Sequence, residues 1–265
     1  MSKSDRPLAL VTGASSGIGR ELAAEFAHHD FDVLIAAENE EIVTAAQAIG
    51  AASQREATPI RVDLAHPEGV EELYAAVKAT GRPLAAAAIN AGVGVGGDFA
   101  RDNALTDELN LIDLNVRSSV HLAKLVLGDM VRRKQGRLLF TSSIAGTAPG
   151  PFLATYAASK AFLYSFAEAL RYELRDTGVT VTAVLPGPTE TAFFEHAGVL
   201  DTKLGQVSKD DPTDVARESY QALMAGKDHV VTGSLKNKAQ VAAARGMPET
   251  AKAKMQANLS EPGTG

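Results

Sequence analysis

Tyr156 and Lys160 stand four residues apart, an interval that puts two side chains on the same face of a helix. A phenol with an ordinary pKa of about 10 is a poor acid or base at neutral pH. An ammonium beside it favours the phenolate and brings it toward the range where general acid–base catalysis works. The pair therefore reads as a proton-transfer device, or, taken alone, as an idle surface pair on an amphipathic helix. Ser142 and Ser143 follow the run Arg137 to Thr141. They are either hydroxyl donors for the same chemistry, with Ser143 preferred, or turn formers behind a strand. Asn115 and Asp63 have two readings as well: site residues, or a surface polar residue and a helix-preceding cap.

A second chemical signal is the run Thr12-Gly13-Ala14-Ser15-Ser16-Gly17-Ile18-Gly19, which lies between an apolar segment and a helix-periodic one. Its Gly-x-x-x-Gly-x-Gly spacing lets the backbone approach the pyrophosphate of a dinucleotide at a helix N-terminus. The other reading of the same glycines is a tight turn that merely lets helix and strand pack closely.

The elements that must position these groups alternate along the chain. Leu8 to Val11, Asp32 to Ala36, Thr58 to Val62, Leu84 to Ile89, Arg137 to Thr141, Val179 to Leu185 and His229 to Thr232 read as strands. Between them lie helical stripes: Leu22, Ala23, Phe26 and Ala27; Val70 to Val77 behind Pro67; a long helix around Leu114 to Val131; and Tyr156 to Arg175, stopped by Gly178. Asp211-Pro212 opens a further helix. Strands alternating with helices predict an α/β fold, doubly wound around a mostly parallel sheet of about seven strands, with helices on both faces. The 265 residues form one domain in this reading, with no interdomain linker and a frayed polar tail at Ser260 to Gly265.

Composition narrows the function classes. With 45% hydrophobic and 22% charged residues, the chain needs neither disorder nor repeats to account for it. A net charge of −6 with scattered basic residues argues against nucleic acid as a partner. The lack of cysteine removes disulfides and thiolate metal sites, and His28 and His29 complement a helix C-terminus rather than gather a metal. No apolar run reaches the roughly 20 residues of a spanning helix, and no signal pattern opens the chain, so a cytoplasmic protein without a membrane is expected. Lys236, Lys238, Arg245, Lys252 and Lys254 make the C-terminal stretch basic, in the manner of a solvated helix face.

In combination, the glycine run, Asn115, Ser143 and Tyr156-x-x-x-Lys160 resemble the classical short-chain dehydrogenase/reductase family, from about Leu8 to Thr191. The resemblance implies a Rossmann-like fold and a hydride exchanged between a nicotinamide dinucleotide and a carbonyl or alcohol. It implies that Asn115, Ser143, Tyr156 and Lys160 are catalytic. Lys160 would hold the nicotinamide ribose, Tyr156 and Ser143 would serve the substrate oxygen, and Asn115 would steady a helix distortion and a water leading to Lys160. Cofactor contacts are implied for Gly13, Ser15, Ser16, Gly17, Ile18 and Gly19 in the glycine run. Further contacts fall at Asp63 and Leu64 behind the third strand, and at Asn90, Ala91 and Gly92 behind the fourth. Pro186, Gly187, Thr189 and Thr191 fit the family's closing turn, although Thr189 replaces a more usual aliphatic residue. At the second strand's end Glu38 disfavours a 2′-phosphate, so NAD(H) is expected ahead of NADP(H); Arg20 keeps the second open. A dinucleotide-binding regulatory or redox-sensing protein without turnover is the alternative.

The segment near residues 191–210, with Phe193, Phe194, Val199, Leu200 and Leu204, is either an apolar lid over an apolar substrate or plain core packing. Phe152, Leu153 and Val93 to Val95 add to the pocket in the first reading. Gly92, Gly94, Gly96 and Gly97 make a permissive loop, for substrate access or as an exposed turn. The resemblance further implies a homodimer or homotetramer, with Leu122, Leu125, Phe162 and Phe166 either facing another subunit or internal.

Overall fold

The computed structural model of the protein describes residues 6–244 and 246–265. Seven strands form one sheet among them: β1 (Leu8–Thr12), β2 (Asp32–Ala37), β3 (Ala57–Arg61), β4 (Leu84–Ile89), β5 (Gly136–Thr141), β6 (Val179–Pro186) and β7 (His229–Thr232). Their order is β3-β2-β1-β4-β5-β6-β7, and every pairing is parallel. The order reverses beside β1, which opens a crevice at the C-terminal strand ends.

Successive residues of a strand point to opposite faces, and the core divides accordingly. Leu8 and Leu10 of β1 face one hydrophobic layer, and Ala9 and Val11 face the other. The first layer is completed by α3 (Pro67–Ala79), α5 (Ser118–Arg133) and α6 (Ala154–Glu173), through Leu73, Leu122, Met130 and Leu163. The second is completed by α1 (Gly17–His28), α2 (Glu41–Ser53) and α9 (Pro212–Met224), through Leu22, Phe26, Ile42 and Leu223. Both faces of the sheet are thus covered, as a parallel sheet requires. Pro59 is accommodated because β3 lies at the edge.

Several expectations need correction. Helix α2 was not anticipated, although Ile42, Ala45, Ala46 and Ile49 recur at helical spacing and are buried. The long central helix begins earlier, as α4 (Leu105–Ile112), and reaches α5 through a π-helical turn at Asp113–Arg117. Leu122 is core, and Leu125 and Phe166 pack against the same core, while Phe162 is exposed. Beyond β6 come the short helices α7 (Phe193–His196) and α8 (Lys203–Gln206), and beyond β7 come α10 (Leu235–Ala244) and α11 (Glu249–Ser260). The tail expected to fray runs against Asp201: Gly265 N–H donates to its carbonyl at 2.8 Å, and Gly263 N–H to Oδ2 at 3.0 Å. Lys252, read as solvated, is buried and paired with Glu249 Oε1 at 2.7 Å, and Arg245 lies outside the described residues.

Candidate active site

The crevice begins at the ends of β1, β4 and β5, which a small polar clasp holds in register. Thr12 Oγ1 accepts the N–H groups of Asn90 and Ala91, each at 3.0 Å. Asn90 Nδ2 donates to Thr12 O at 3.0 Å, and Thr141 Oγ1 donates to Asn90 Oδ1 at 3.0 Å. Gly13 follows at φ 64°, and a Cβ there would stand 2.8 Å from Ala91 Cα, so the turn demands glycine in both conformation and space. A Cβ on Gly17 would meet Thr191 Cγ2 at 2.8 Å, which brings the turn behind β6 against the turn behind β1. Ser16 makes no side-chain cap to α1. The helix therefore presents its N-terminal amides and positive pole without a capping side chain of its own. This cradle fits a dinucleotide pyrophosphate.

Farther along the crevice, α6 delivers Tyr156 and Lys160, both buried. Lys160 Nζ donates to Thr141 O at 2.9 Å and lies 5.7 Å from the Tyr156 ring centroid. Burial pushes the Tyr156 hydroxyl up to about 12, and a hydrogen bond with Ser143 opposes that rise. Burial also draws Lys160 down to about 8. Desolvation of the phenolate sets the direction for Tyr156, and Ser143 is the group that lowers it. Ser143 Oγ accepts Ala145 N–H at 3.1 Å, whereas Ser142 spends its hydroxyl on Lys160 O at 2.7 Å.

Asn115 is fully buried within the π-helical turn. Its Oδ1 accepts Val93 N–H at 2.9 Å, and its Nδ2 donates to Val93 O at 2.9 Å and to Ser159 Oγ at 3.0 Å. A Cβ on Gly92 would lie 3.0 Å from Asn115 Oδ1 and 3.2 Å from Lys160 Nζ. Asn115 therefore backs the wall rather than lining it.

The crevice encloses about 600 Å³. Gly13, Ser16, Gly17, Ile18 and Gly19 line one end, and Asn90, Gly92, Ser143, Tyr156 and Lys160 line the middle. Pro186, Gly187, Thr189 and Thr191 line it from behind β6. Ser15, Glu38, Asp63, Leu64, Ala91 and Asn115 are not on this wall. Asp63 Oδ1 accepts Ala65 N–H at 2.8 Å in the turn ahead of α3, and Leu64 is core. Glu38 is exposed at the end of β2, where Arg61 Nε donates to its carbonyl at 3.0 Å and Arg61 Nη1 pairs with Glu40 at 2.8 Å. The sequence reading had not placed this cation there, because it arrives from the neighbouring strand β3.

The segment near residues 191–210 divides between crevice lining and core packing. Phe193, Phe194 and Leu204 line the crevice, with the Phe193 ring 5.0 Å from that of Tyr156, while Val199 is buried packing and Leu200 is exposed. Val93 and Leu153 line it too, and Phe152 does not. The glycine loop behind β4 is close-packed rather than open: Gly96 N–H donates to Ala197 O at 2.8 Å, and a Cβ on Gly94 would strike the Phe193 ring.

Sequence reasoning missed the far wall, where Lys236 and Gln240 of α10 and Gln256, Leu259 and Ser260 of α11 line the crevice. No local signal marks them, since their position depends on how two C-terminal helices dock. Asn237 and Asp210 fasten this wall to the turn behind β6. Asn237 Nδ2 donates to Asp210 Oδ2 at 2.7 Å, Asp210 N–H donates to Pro188 O at 2.8 Å, and Gly187 packs directly on Asn237.

Comparisons agree with this architecture. A family profile described as short chain dehydrogenase matches residues 7–198. Oxidoreductase UcpA of Salmonella typhimurium is 31% identical over 224 residues, covering 84% of this chain and 82% of the relative. Among solved structures, a short-chain dehydrogenase from Sphingobium yanoikuyae in complex with NADPH superposes with a TM-score of 0.80 at 24% identity, covering 90% of this chain and 93% of that one. A short-chain dehydrogenase/reductase from Burkholderia phymatum in complex with NAD gives 0.82 at 24% identity, covering 92% and 94%. With the profile spanning most of the sheet and the strand order in agreement, the chain belongs to the short-chain dehydrogenase family.

Proposed function

We propose that the protein is an oxidoreductase that exchanges hydride between a nicotinamide dinucleotide and a carbonyl or alcohol at Ser143, Tyr156, Lys160 and Asn115. The observation that carries this reading is the convergence, on one crevice, of a capless helix N-terminus behind a glycine turn with a buried Tyr156, Lys160 and Ser143. The bound dinucleotide would supply or accept the hydride. Gly13 and Ser16 to Gly19 would hold its pyrophosphate, and Asn90, Gly92, Thr189 and Thr191 would hold its nicotinamide half. Neutral at physiological pH, Tyr156 is a proton donor to a substrate oxygen, and Ser143 shares that oxygen. Lys160 would hold ribose hydroxyls and keep a positive charge below its pKa of about 8. Asn115 would keep Gly92-Val93 in place and order a water toward Lys160.

NAD(H) is the favoured dinucleotide, because Glu38 stands at the end of β2 and Arg61 is engaged by Glu40. The protein is read as cytoplasmic, and no described helix is long and apolar enough to cross a membrane. Self-association as a homodimer or homotetramer would use the outer face of α4 and α5.

The test compares the wild type with Tyr156→Phe for oxidation of NADH and NADPH against ketones, aldehydes and diketones, with dinucleotide affinity measured in parallel. Turnover abolished by the substitution with affinity retained is expected, NADH binding more tightly than NADPH. Dinucleotide binding without turnover in either direction would instead favour a regulatory module.

A further inference from the structure

The far wall of the crevice separates the basic residues of the C-terminal stretch into two kinds. Lys238 Nζ turns away to Glu218 Oε2 at 3.2 Å, and Lys252 is paired with Glu249. Lys236, two residues before Lys238, lines the crevice instead and has no ion-pair partner among the described residues. Asp210 is the one carboxylate among the described lining residues, and both its oxygens are already engaged. Oδ1 accepts Ser234 N–H at 3.1 Å, and Oδ2 accepts the Asn237 amide. A protein of net charge −6 thus keeps an unneutralised ammonium at its crevice, one helical turn from Gln240, with Gln256 and Ser260 among the other polar lining residues. Phe193, Phe194 and Leu204 line the same crevice with apolar surface.

The sheet order says which anion this cation can meet. The pyrophosphate cradle follows β1, and Lys236 follows β7, four strand positions away. At the usual spacing of strands this is roughly 19 Å along the crevice, beyond the reach of a lysine side chain from one end to the other. Tyr156 and Ser143 lie between the two.

Resting on the oxidoreductase reading above, we propose that the substrate is a keto or hydroxy acid with an apolar carbon skeleton, whose carboxylate is taken by Lys236 at the α10–α11 wall while its carbonyl or hydroxyl faces Tyr156. The apolar wall from α7 and α8 covers the skeleton, and the two glutamines and Ser260 supply neutral hydrogen bonds around the carboxylate.

The test is isothermal titration of the dinucleotide-loaded protein with keto acids of graded chain length and their methyl esters, for wild type, Lys236→Met and Lys236→Arg. At least one acid binds the wild type about tenfold more tightly than its ester, as a charge-assisted contact implies. Lys236→Met removes that preference and leaves ester affinity unchanged, Lys236→Arg keeps it, and added salt weakens the acids alone. The proposal is overturned if no acid outbinds its ester, or if Lys236→Met weakens acid and ester equally. It is overturned as well if the substitution loosens the dinucleotide itself, since the cation would then serve a cofactor phosphate. Acids that bind selectively but are never turned over would fault the hydride-transfer reading and leave the carboxylate site standing.

Discussion

At the residue scale, burial acts on the two α6 groups in opposite directions of proton affinity. It holds Tyr156 protonated up to about 12 and makes Lys160 release its proton near 8. The stability consequences have opposite signs. Between about 8 and 10.5 the unfolded chain keeps a proton on Lys160 that the folded chain has lost, so stability rises with pH through that window. Between 10.0 and about 12 the folded chain keeps the Tyr156 proton and the unfolded chain does not, so stability falls. Below about 8 the full penalty of a buried ammonium is present, partly offset by its bond to Thr141 O. Lys160→Met is therefore expected to raise the melting temperature at pH 7 by a few degrees, as removal of roughly 2 kcal/mol of desolvation penalty would. That gain shrinks toward zero by pH 10.5, while turnover is lost. Melting curves of both proteins across this range check the sign; a constant gain at every pH would show that the methionine acts by packing alone.

At the scale of elements, the π-helical turn at Asp113–Arg117 is the device that brings Asn115 to the loop behind β4. The extra residue in the turn displaces the helix axis between α4 and α5 and leaves Asn115 turned inward, where it makes three hydrogen bonds. Asn115→Leu strands the Val93 N–H and C=O and removes the donor to Ser159 Oγ, which keeps its own bond to Tyr156 O, an expected cost of about 3 kcal/mol in urea denaturation. Activity should fall further than stability explains, because Val93 and Gly92 line the crevice. A loss below about 1 kcal/mol would mean that water replaces all three bonds.

These elements differ in how visible they were. The strands were legible because β1, β2 and β4 are buried on both faces and so read as largely apolar runs, while β6 reads through its β-branched Val and Thr residues. Helix α2 was hidden because alanines fill much of its buried face, and alanine weighs little in an apolar pattern. The π-helical turn was implied by family resemblance, since nothing in Asp113-Leu114-Asn115-Val116-Arg117 marks it locally. The far wall with Lys236 was illegible for a different reason: the helices α10 and α11 gain their place from contacts distant in sequence, including the Asp210–Asn237 bond.

At the scale of the whole molecule, one surface remains unaccounted for by the fold. Leu105, Leu109 and Ile112 recur at helical spacing along α4, with exposures of 68%, 49% and 41%. Val120 of α5 and Phe162 of α6 are exposed as well. Apolar side chains repeating along one exposed stripe suit a self-complementary contact between copies. Light scattering is expected to find dimers or tetramers for the wild type and monomers for Leu109→Glu/Ile112→Glu. A wild type that is monomeric at micromolar concentration would remove the proposal.

The strand order also sets a timetable for the chain's own assembly. β1 is made first, yet it is an interior strand, held between β2 and β4. Its second neighbour ends at Ile89, and β6, the partner of β5, does not begin until Val179. A nascent chain therefore carries an apolar strand with an open hydrogen-bonding edge through the synthesis of dozens of residues, and parallel pairing across such separations is slow. Slow, concentration-sensitive refolding is the expected companion of the same strand order that sets the glycine turn at one end of the crevice.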